Sequence, residues 1–327
     1  YNVTGNSVFA NQATTFDTSS TIVSLNNGQQ LVVTGTLEFN TGDVIYIDSL
    51  YLNGRLQGSD SVIIVESMNW AGQVMQGSGV TTIDLNATLR LSGGNQQTLR
   101  RDLINNGTTI WDAGNFALFD AAAFTNNGTF IDQHSSTEPL SGGSYGCVFN
   151  NNGTYFKNSA GQSNIGLPFY NVPSSHIRGT GLLQINNTFT NEGNVSPGDS
   201  LGTLSLNTDY PAASTSILNI EIGGSPASGM YDKLQITGTA TLDGTLNISL
   251  VNNFVPAIGD TFDVLTYSSY TSNFNTINGL NTGSGVSFDT VFNSTGLLLI
   301  TTATSDVGEN NNLIPEEYAL AQNFPNP

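Results

Sequence analysis

The chain reads as an all-β protein: a right-handed parallel β-helix, a solenoid of about 20-residue coils, closed by an irregular β-rich C-terminal cap. Three observations lead there. First, one phrase recurs: "LINNGTTIW" at 103–111, "FTNNGTFID" at 124–132 and "FNNNGTYFK" at 149–157. Aligning its asparagines gives Asn105, Asn126, Asn151, Asn171 and Asn191, at intervals of 21, 25, 20 and 20 residues. Second, helical periodicity is missing between Tyr1 and Ala303, and the closest approach, "FALFDAAAF" (116–124), is short. Third, short alternating or apolar runs are punctuated by Gly and Asn, the pattern of strands and turns. A β-sandwich would carry turn signals too, but not one self-similar unit with the same turn chemistry in each.

The elements follow in order. "QQLVVTGTLEF" (29–39), "GDVIYIDSLYL" (42–52), "SVIIVESMNW" (61–70) and "TTIDLNATLRLSGG" (81–94) read as strands with tight turns. Coils of a β-helix stack about 4.8 Å apart, so equivalent residues lie above one another. Phe124, Phe149, Phe169 and Phe189 then form a buried aromatic stack. The five asparagines form a ladder of side-chain amides, at turns whose left-handed backbone Asn tolerates. Gly107, Gly128, Gly153 and Gly193 are expected to supply positive φ at the next turn position. From about residue 200 the NNG unit disappears and alternation sharpens, in "STSILNIEIGG" (214–224), "YDKLQITGTATLDGTLNISLV" (231–251), "GDTFDVLTY" (259–267) and "GLLLITTA" (296–303). The expected organisation is β-helix coils over 1–200, a β-rich continuation or cap over 201–303, a polar linker at 304–313 and a separate tail at 314–327.

Composition narrows the function. Of 327 residues, 25 are acidic and 7 basic, a net charge of −18. Neutralising phosphates needs clustered Lys and Arg, so nucleic acid is excluded as a partner and anionic membranes are disfavoured. A single cysteine, Cys147, rules out an internal disulfide, and with no CxxC or Cys/His cluster structural zinc is removed. No apolar run is long enough for a transmembrane helix. The chain opens on Tyr1 without a leader-like stretch, which reads as a chain whose export signal has been removed.

Three stretches resemble known families. The coils, with their "GTL", "GSG" and F-x-N-x-G-T phrases, resemble the repetitive β-helical regions of large bacterial surface proteins, of the autotransporter and haemagglutinin-like adhesin kind. "FTNEGNVSPGDSLGTLSL" followed by "YDKLQITGTATLDGTLNISLVNNFVPAIGDTFDVLT" is similar to the distal passenger region of autotransporter-like adhesins. "IPEEYALAQNFPNP" (314–327) resembles the opening of the C-terminal sorting domain of type IX secretion. That agreement runs through Pro315, Tyr318, Leu320, Gln322, Asn323, Phe324, Pro325, Asn326 and Pro327. The resemblance implies export across the outer membrane of a Gram-negative bacterium and a tail read by the secretion machinery. It also implies O-glycans at Asp-Ser/Thr-aliphatic triplets, with Ser49, Ser61, Ser200 and Thr290 as candidates.

Candidate chemistry is sparse. Asp112, Asp120 and Asp132 sit in neighbouring coils and could share a face as paired carboxylates for polysaccharide cleavage. No Lys or Arg lies near them, Arg100 and Arg101 coming closest in sequence, so turn-forming or solvating acids is the reading adopted. His134 and His176 lie about two coils apart and read as surface residues. No nucleophile elbow supports Ser-His-Asp chemistry, and no calcium repeat organises the acids, which leaves weak surface Ca²⁺ binding as the one cofactor consideration. Cys147 reads as a buried inert thiol. Trp70 and Trp111 could stack on sugars if exposed, though coil packing is preferred. Asn-x-Ser/Thr sequons at Asn2, Asn86, Asn106, Asn127, Asn152, Asn186, Asn194, Asn247 and Asn293 include three NNGT turns, so the sequon reads as a by-product of turn chemistry.

The function expected is mechanical: a non-catalytic extracellular structural or adhesive protein, either a rod on the cell surface or a self-assembling fibre subunit. Its partners would be other copies, through head-to-tail stacking or strand addition by the tail, or host and surface glycans. The rival is a polysaccharide-binding or polysaccharide-cleaving β-helix. A phage or virus fibre shares the physics but leaves the tail unexplained.

Overall fold

The computed structural model describes residues 8–9, 13–16, 25–134, 139–143 and 145–304. Over these the chain is an all-β parallel β-solenoid, and the one helical element is a 3-10 turn at Pro226–Ser228. The linker and the sorting-like tail, Pro315 to Pro327 included, lie outside the described residues, as does Asn2.

Each coil contributes strands to three faces. The first face stacks Thr81–Ile83, Leu103–Asn105, Ala123–Asn126, Val148–Asn151, Phe169–Asn171 and Phe189–Asn191, each parallel to the next. The second stacks Thr88–Leu91, Thr108–Trp111 and Thr129–Asp132, then the opening halves of Thr154–Gly166 and His176–Ile185, then Asn194–Pro197. The third runs through Gln97–Arg100, Phe116–Leu118, Pro139–Gly142, the closing halves of the same two long strands, and Thr203–Leu206. "FALFDAAAF" is therefore a strand followed by a turn. Asp120 and Ala121 there adopt φ of 57° and 60°.

The period-2 pattern decides which side chains enter the core. In Thr129–Asp132, Phe130 and Asp132 are buried while Thr129 and Ile131 are half-buried on the outside. The first-face phenylalanines form the column expected of them. Phe124 stacks on Phe149 with centroids 5.0 Å apart, Phe149 meets Phe169 at 5.1 Å, and Phe169 stacks on Phe189 at 5.9 Å. Phe130 and Tyr155 add a second column from the next face, 5.3 Å apart and edge-on to the first. Each fully buried ring contributes about 1.5–3 kcal/mol by area alone.

The coils do not stop near residue 200. Their period lengthens: Thr203–Leu206, Lys233–Ile236 and Thr261–Thr266 pair in parallel, and cross-coil bonds such as Ser205–Gln235 span 30 residues. The first face continues through Tyr210–Pro211, Thr239–Thr241 and Ser269–Thr271, the second through Ile217–Ile222, Thr245–Leu250 and Thr276–Asn278. The cap proper is the antiparallel hairpin Val286–Asn293 and Gly296–Ala303, whose second strand pairs antiparallel with Thr261–Thr266. It closes one of the three faces.

The turn glycines need a correction. Gly107, Gly128, Gly153 and Gly193 do not have positive φ. They are glycine because the coil below is too close. A Cβ on Gly128 would lie 2.0 Å from the Gly107 carbonyl oxygen, one on Gly153 2.1 Å from that of Gly128, and one on Gly107 2.2 Å from that of Ala87. On Gly193 it would meet the Ser175 oxygen at 2.6 Å. Nor do the five asparagines occupy left-handed turn positions: each is the last residue of its first-face strand and points inward.

Candidate functional site

The inner asparagine column is the most ordered polar array in the molecule. Asn105 Nδ2 donates to Asn126 Oδ1 (2.7 Å), Asn126 to Asn151 (2.8 Å), Asn151 to Asn171 (2.8 Å) and Asn171 to Asn191 (2.7 Å). The amides of Asn105, Asn126, Asn151 and Asn171 also each donate to a second-face carbonyl of the next coil, as Asn126 does to Thr154 O at 2.9 Å. All five are fully buried, and the column ends where Asn191 Nδ2 donates to the Tyr210 hydroxyl at 3.2 Å. Satisfying both amide hydrogens is what makes burial tolerable. The neighbouring asparagines build an outer ladder of opposite polarity: Asn152 Nδ2 donates to Asn127 Oδ1, and Asn127 Nδ2 to Asn106 Oδ1, both at 2.9 Å. The sequon amides of Asn127 and Asn152 are thus engaged.

Beside the ladder lies a buried polar cluster. Trp111, Asp132, Lys157 and Gly179 follow one another up the second face in register, all facing inward. Tyr155 donates its hydroxyl to Asp132 Oδ2 at 2.6 Å, and His134 stacks on Trp111 with centroids 4.3 Å apart. Lys157 Nζ donates to Ser159 O at 3.1 Å and to the Ser159 hydroxyl, which itself donates to His134 O. Burial pushes the Asp132 carboxyl up although Lys157 and Tyr155 oppose it. Burial likewise pushes the Lys157 amine down against the pull of Asp132. Burial and the Asp132 charge hold the Tyr155 phenol protonated. At a lower corner, the buried Arg101 guanidinium donates to the carbonyls of Gly79 (2.7 Å) and Asp60 (2.6 Å), and burial lowers its pKa to about 10.

Several expectations change here. Asp112 is ion-paired with Arg90 and Asp120 with Arg100 at 2.7 Å, while Asp132 has Lys157 above it, so each of the three acids does have a basic neighbour. The solenoid brings together residues 20 or more positions apart, which sequence proximity could not reveal. The three acids do not form one exposed pair, since Asp132 is fully buried. His134 is buried rather than superficial, and His176 is half-buried with Nε2 2.8 Å from the Ser196 hydroxyl. Trp70 and Trp111 are fully buried, their indole N–H groups donating to Gly72 O and Gly114 O, so neither offers a face to a sugar. Cys147 is buried. Of the triplet hydroxyls, Ser200 is exposed, whereas Ser49, Ser61 and Thr290 are half-buried and Ser49 lies 3.0 Å from the Ser67 hydroxyl.

One surface cleft gathers titratable groups. It has about 190 Å³ and lies where the SPGDS turn (196–200) folds back and Gly198 pairs with Gly179. His176, Arg178, Asp199, Glu221 and Asp232 line it. Arg178 pairs with Asp199 and covers the Phe156 ring at 4.0 Å. Asp232 is almost fully buried and accepts from the backbone N–H groups of Gly202 and Glu221, both at 2.9 Å. Burial raises its pKa to about 7, with the Glu221 charge adding to the rise and the two N–H donors opposing it. Burial and the Arg178 charge lower that of His176. A carboxyl of raised proton affinity beside an imidazole can exchange a proton with a bound hydroxyl. Among the described residues no group of three or more His, Cys, Asp or Glu is arranged to hold a metal ion.

Sequence reasoning missed Tyr155, Lys157, Glu221 and Asp232, and met Arg101 only as a neighbour of the acids, not as a buried donor. One signal was available: aligning "TTIW", "TFID" and "TYFK" places Trp111, Asp132 and Lys157 in one inward column. No protein-family model matches the chain, and no curated protein matches it in sequence.

Proposed function

We propose that the chain is the stiff shaft of an extracellular structural or adhesive protein, exposed on the outer surface of a Gram-negative bacterium or assembled into a fibre. The observation that carries this reading is the inner ladder, an unbroken line of buried amide hydrogen bonds from Asn105 to Tyr210. Such a column resists bending and shear, because displacing one coil breaks bonds in a medium where their loss is costly. The extracellular setting rests on the similarity of residues 314–327 to a secretion signal. Self-association is part of the proposal. With the hairpin covering one face at the C-terminal end, a second copy would stack on the rims at Ser269–Thr271 and Thr276–Asn278. Electron microscopy of the purified chain tests this: rods of constant width, alone or end to end, are expected, and compact particles would sink the reading.

The cleft at Asp232 favours a second reading, a protein that binds or cleaves polysaccharide. Turnover of a polysaccharide panel that is lost in both Asp232→Asn and Glu221→Gln would establish it in place of the first.

A further inference from the structure

A groove of about 560 Å³ runs along the corner between the third and first faces, across three successive coils. Its walls carry the rings of Tyr145 and Tyr170 with Pro168 and Val148, and Asn187 lines it with an amide that donates to Gly166 O at 3.3 Å and accepts from the Thr188 N–H at 2.8 Å. Tyr145 is fully exposed at 102 %, far above any other aromatic among the large exposed apolar residues. An aromatic held in water at no packing gain is what a stacking ligand needs.

Two further features point to the ligand class. No Asp, Glu, Lys, Arg or His stands among the described lining residues, in a chain of net charge −18. The cleft at Asp232 and a second groove lined by Arg55 and Arg100 both carry charge. The neutral groove therefore matches an uncharged ligand. The floor is opened by Gly166, and here the fold does not demand glycine. Its φ lies outside the left-handed region, and a Cβ would meet Leu140 O and Ser141 only at 3.8–4.0 Å, ordinary contact. At Gly128 the same Cβ would strike backbone at 2.0 Å. The absence of a side chain at residue 166 thus serves the groove and not the stacking of coils.

We infer that this corner is a binding site for a neutral oligosaccharide, an uncharged hexose chain lying along the rod axis. The Tyr145 and Tyr170 rings would take the apolar faces of successive sugars, and the Asn187 side chain would meet a hydroxyl. The inference deepens the adhesive reading above and rests on it. Its test uses the full chain in calorimetric titration against neutral gluco-, manno- and galacto-oligosaccharides, a uronate oligomer and a proline-rich peptide. Saturable binding of at least one neutral series is expected, weakened about tenfold by Tyr145→Ala and by Tyr170→Ala. Gly166→Leu should abolish it, while Gly166→Ala keeps the wild-type melting temperature and shows that the position tolerates a Cβ. Failure of every neutral sugar to bind, equal binding of the uronate, displacement by the peptide, or indifference to Tyr145→Ala overturns the site. Rods in the microscope with no neutral-sugar binding would refute this groove alone. Compact particles would refute the shaft whatever the sugars do.

Discussion

The coils between Leu103 and Asn194 and those between Thr203 and Asn278 solve the same problem with different chemistry. Both must satisfy polar groups inside a narrow core. The earlier coils do so with a column of neutral amides under a stack of aromatic rings. The later coils stack aliphatic columns of Leu204, Leu234, Leu218, Leu246, Ile220 and Ile248, with single buried rings such as Tyr210 and Phe262, and anchor an irregular turn with the buried carboxylate of Asp232. A repeated coil of nearly constant length can stack like on like, so one residue type serves every rung. Where the turn at 196–200 intervenes and the period lengthens to about 30 residues, the inward asparagines end, the amides that stack do so on the outside of the second face, and a single carboxylate reaches two backbone donors within.

The difference predicts opposite pH behaviour. An amide column does not titrate. Asp232, with a folded-state pKa of about 7 against 3.8 unfolded, binds its proton more tightly when folded. Its contribution is therefore fully present below about pH 3.8 and is lost as pH rises through 7. The loss is on the order of 4 kcal/mol. Asp232→Asn should flatten this part of the stability profile between pH 4 and 7 while lowering stability below about pH 4, because its NH₂ faces a backbone N–H. Thermal melts of both proteins across that range check the sign. Parallel profiles would mean that the two N–H donors hold Asp232 ionised throughout.

Within the earlier coils the ladder itself can be broken. Asn126→Leu keeps the branched shape but leaves Asn151 Oδ1 and one hydrogen of Asn105 Nδ2 without partners, and removes a bond to Thr154 O. A cost of about 2–4 kcal/mol is expected from two buried groups left unmet. Chemical denaturation measures it. A change below about 1 kcal/mol would mean that the column is held by ring stacking alone.

The corrected role of the turn glycines gives a sharper cut. Gly128→Ala and Gly128→Asn should destabilise equally, by about 1–3 kcal/mol, because both add a Cβ against the Gly107 oxygen. Were the backbone left-handed there, Asn would be tolerated markedly better than Ala. Comparing the two melting temperatures decides between the readings.

How much of this could be read from the sequence follows from periodicity. Asn105 to Asn191 and Phe124 to Phe189 were legible because identical residues recur at a fixed interval, and a solenoid turns interval into contact. The strand alternation likewise gave the inward and outward positions. The role of Gly128 was not legible, because a glycine required by positive φ and one required by close approach look alike in a sequence. Asp232 and Glu221 were hidden for the opposite reason, since they belong to coils whose period had changed. Trp111 stacked on His134 needed the register between coils and not only its spacing, whereas Lys157 above Asp132 was within reach of an alignment of "TFID" with "TYFK". The neutral groove depends on the exposed Tyr145 and the half-buried Tyr170 sharing a corner, which no one-dimensional pattern records.

The smallest effect isolates burial from chemistry. The later coils carry an amide ladder too, on the outside of the second face: Asn278 Nδ2 donates to Asn247 Oδ1 at 2.9 Å, Asn247 to Asn219 at 3.1 Å, and Asn219 to the Ser196 hydroxyl at 3.1 Å. Atoms, distances and cross-coil geometry nearly match those of the inner column. The difference is water: Asn247 is half-buried, where Asn126 is fully enclosed. Solvent can replace each bond lost on truncation, so Asn247→Ala should cost only about 0.5–1.5 kcal/mol. Denaturant titration of Asn247→Ala beside Asn126→Leu measures the gap directly. If the two variants lose the same stability, the strength of these ladders lies in the stacked amide geometry and not in its enclosure, and the contrast between the two regions collapses to one of side-chain type.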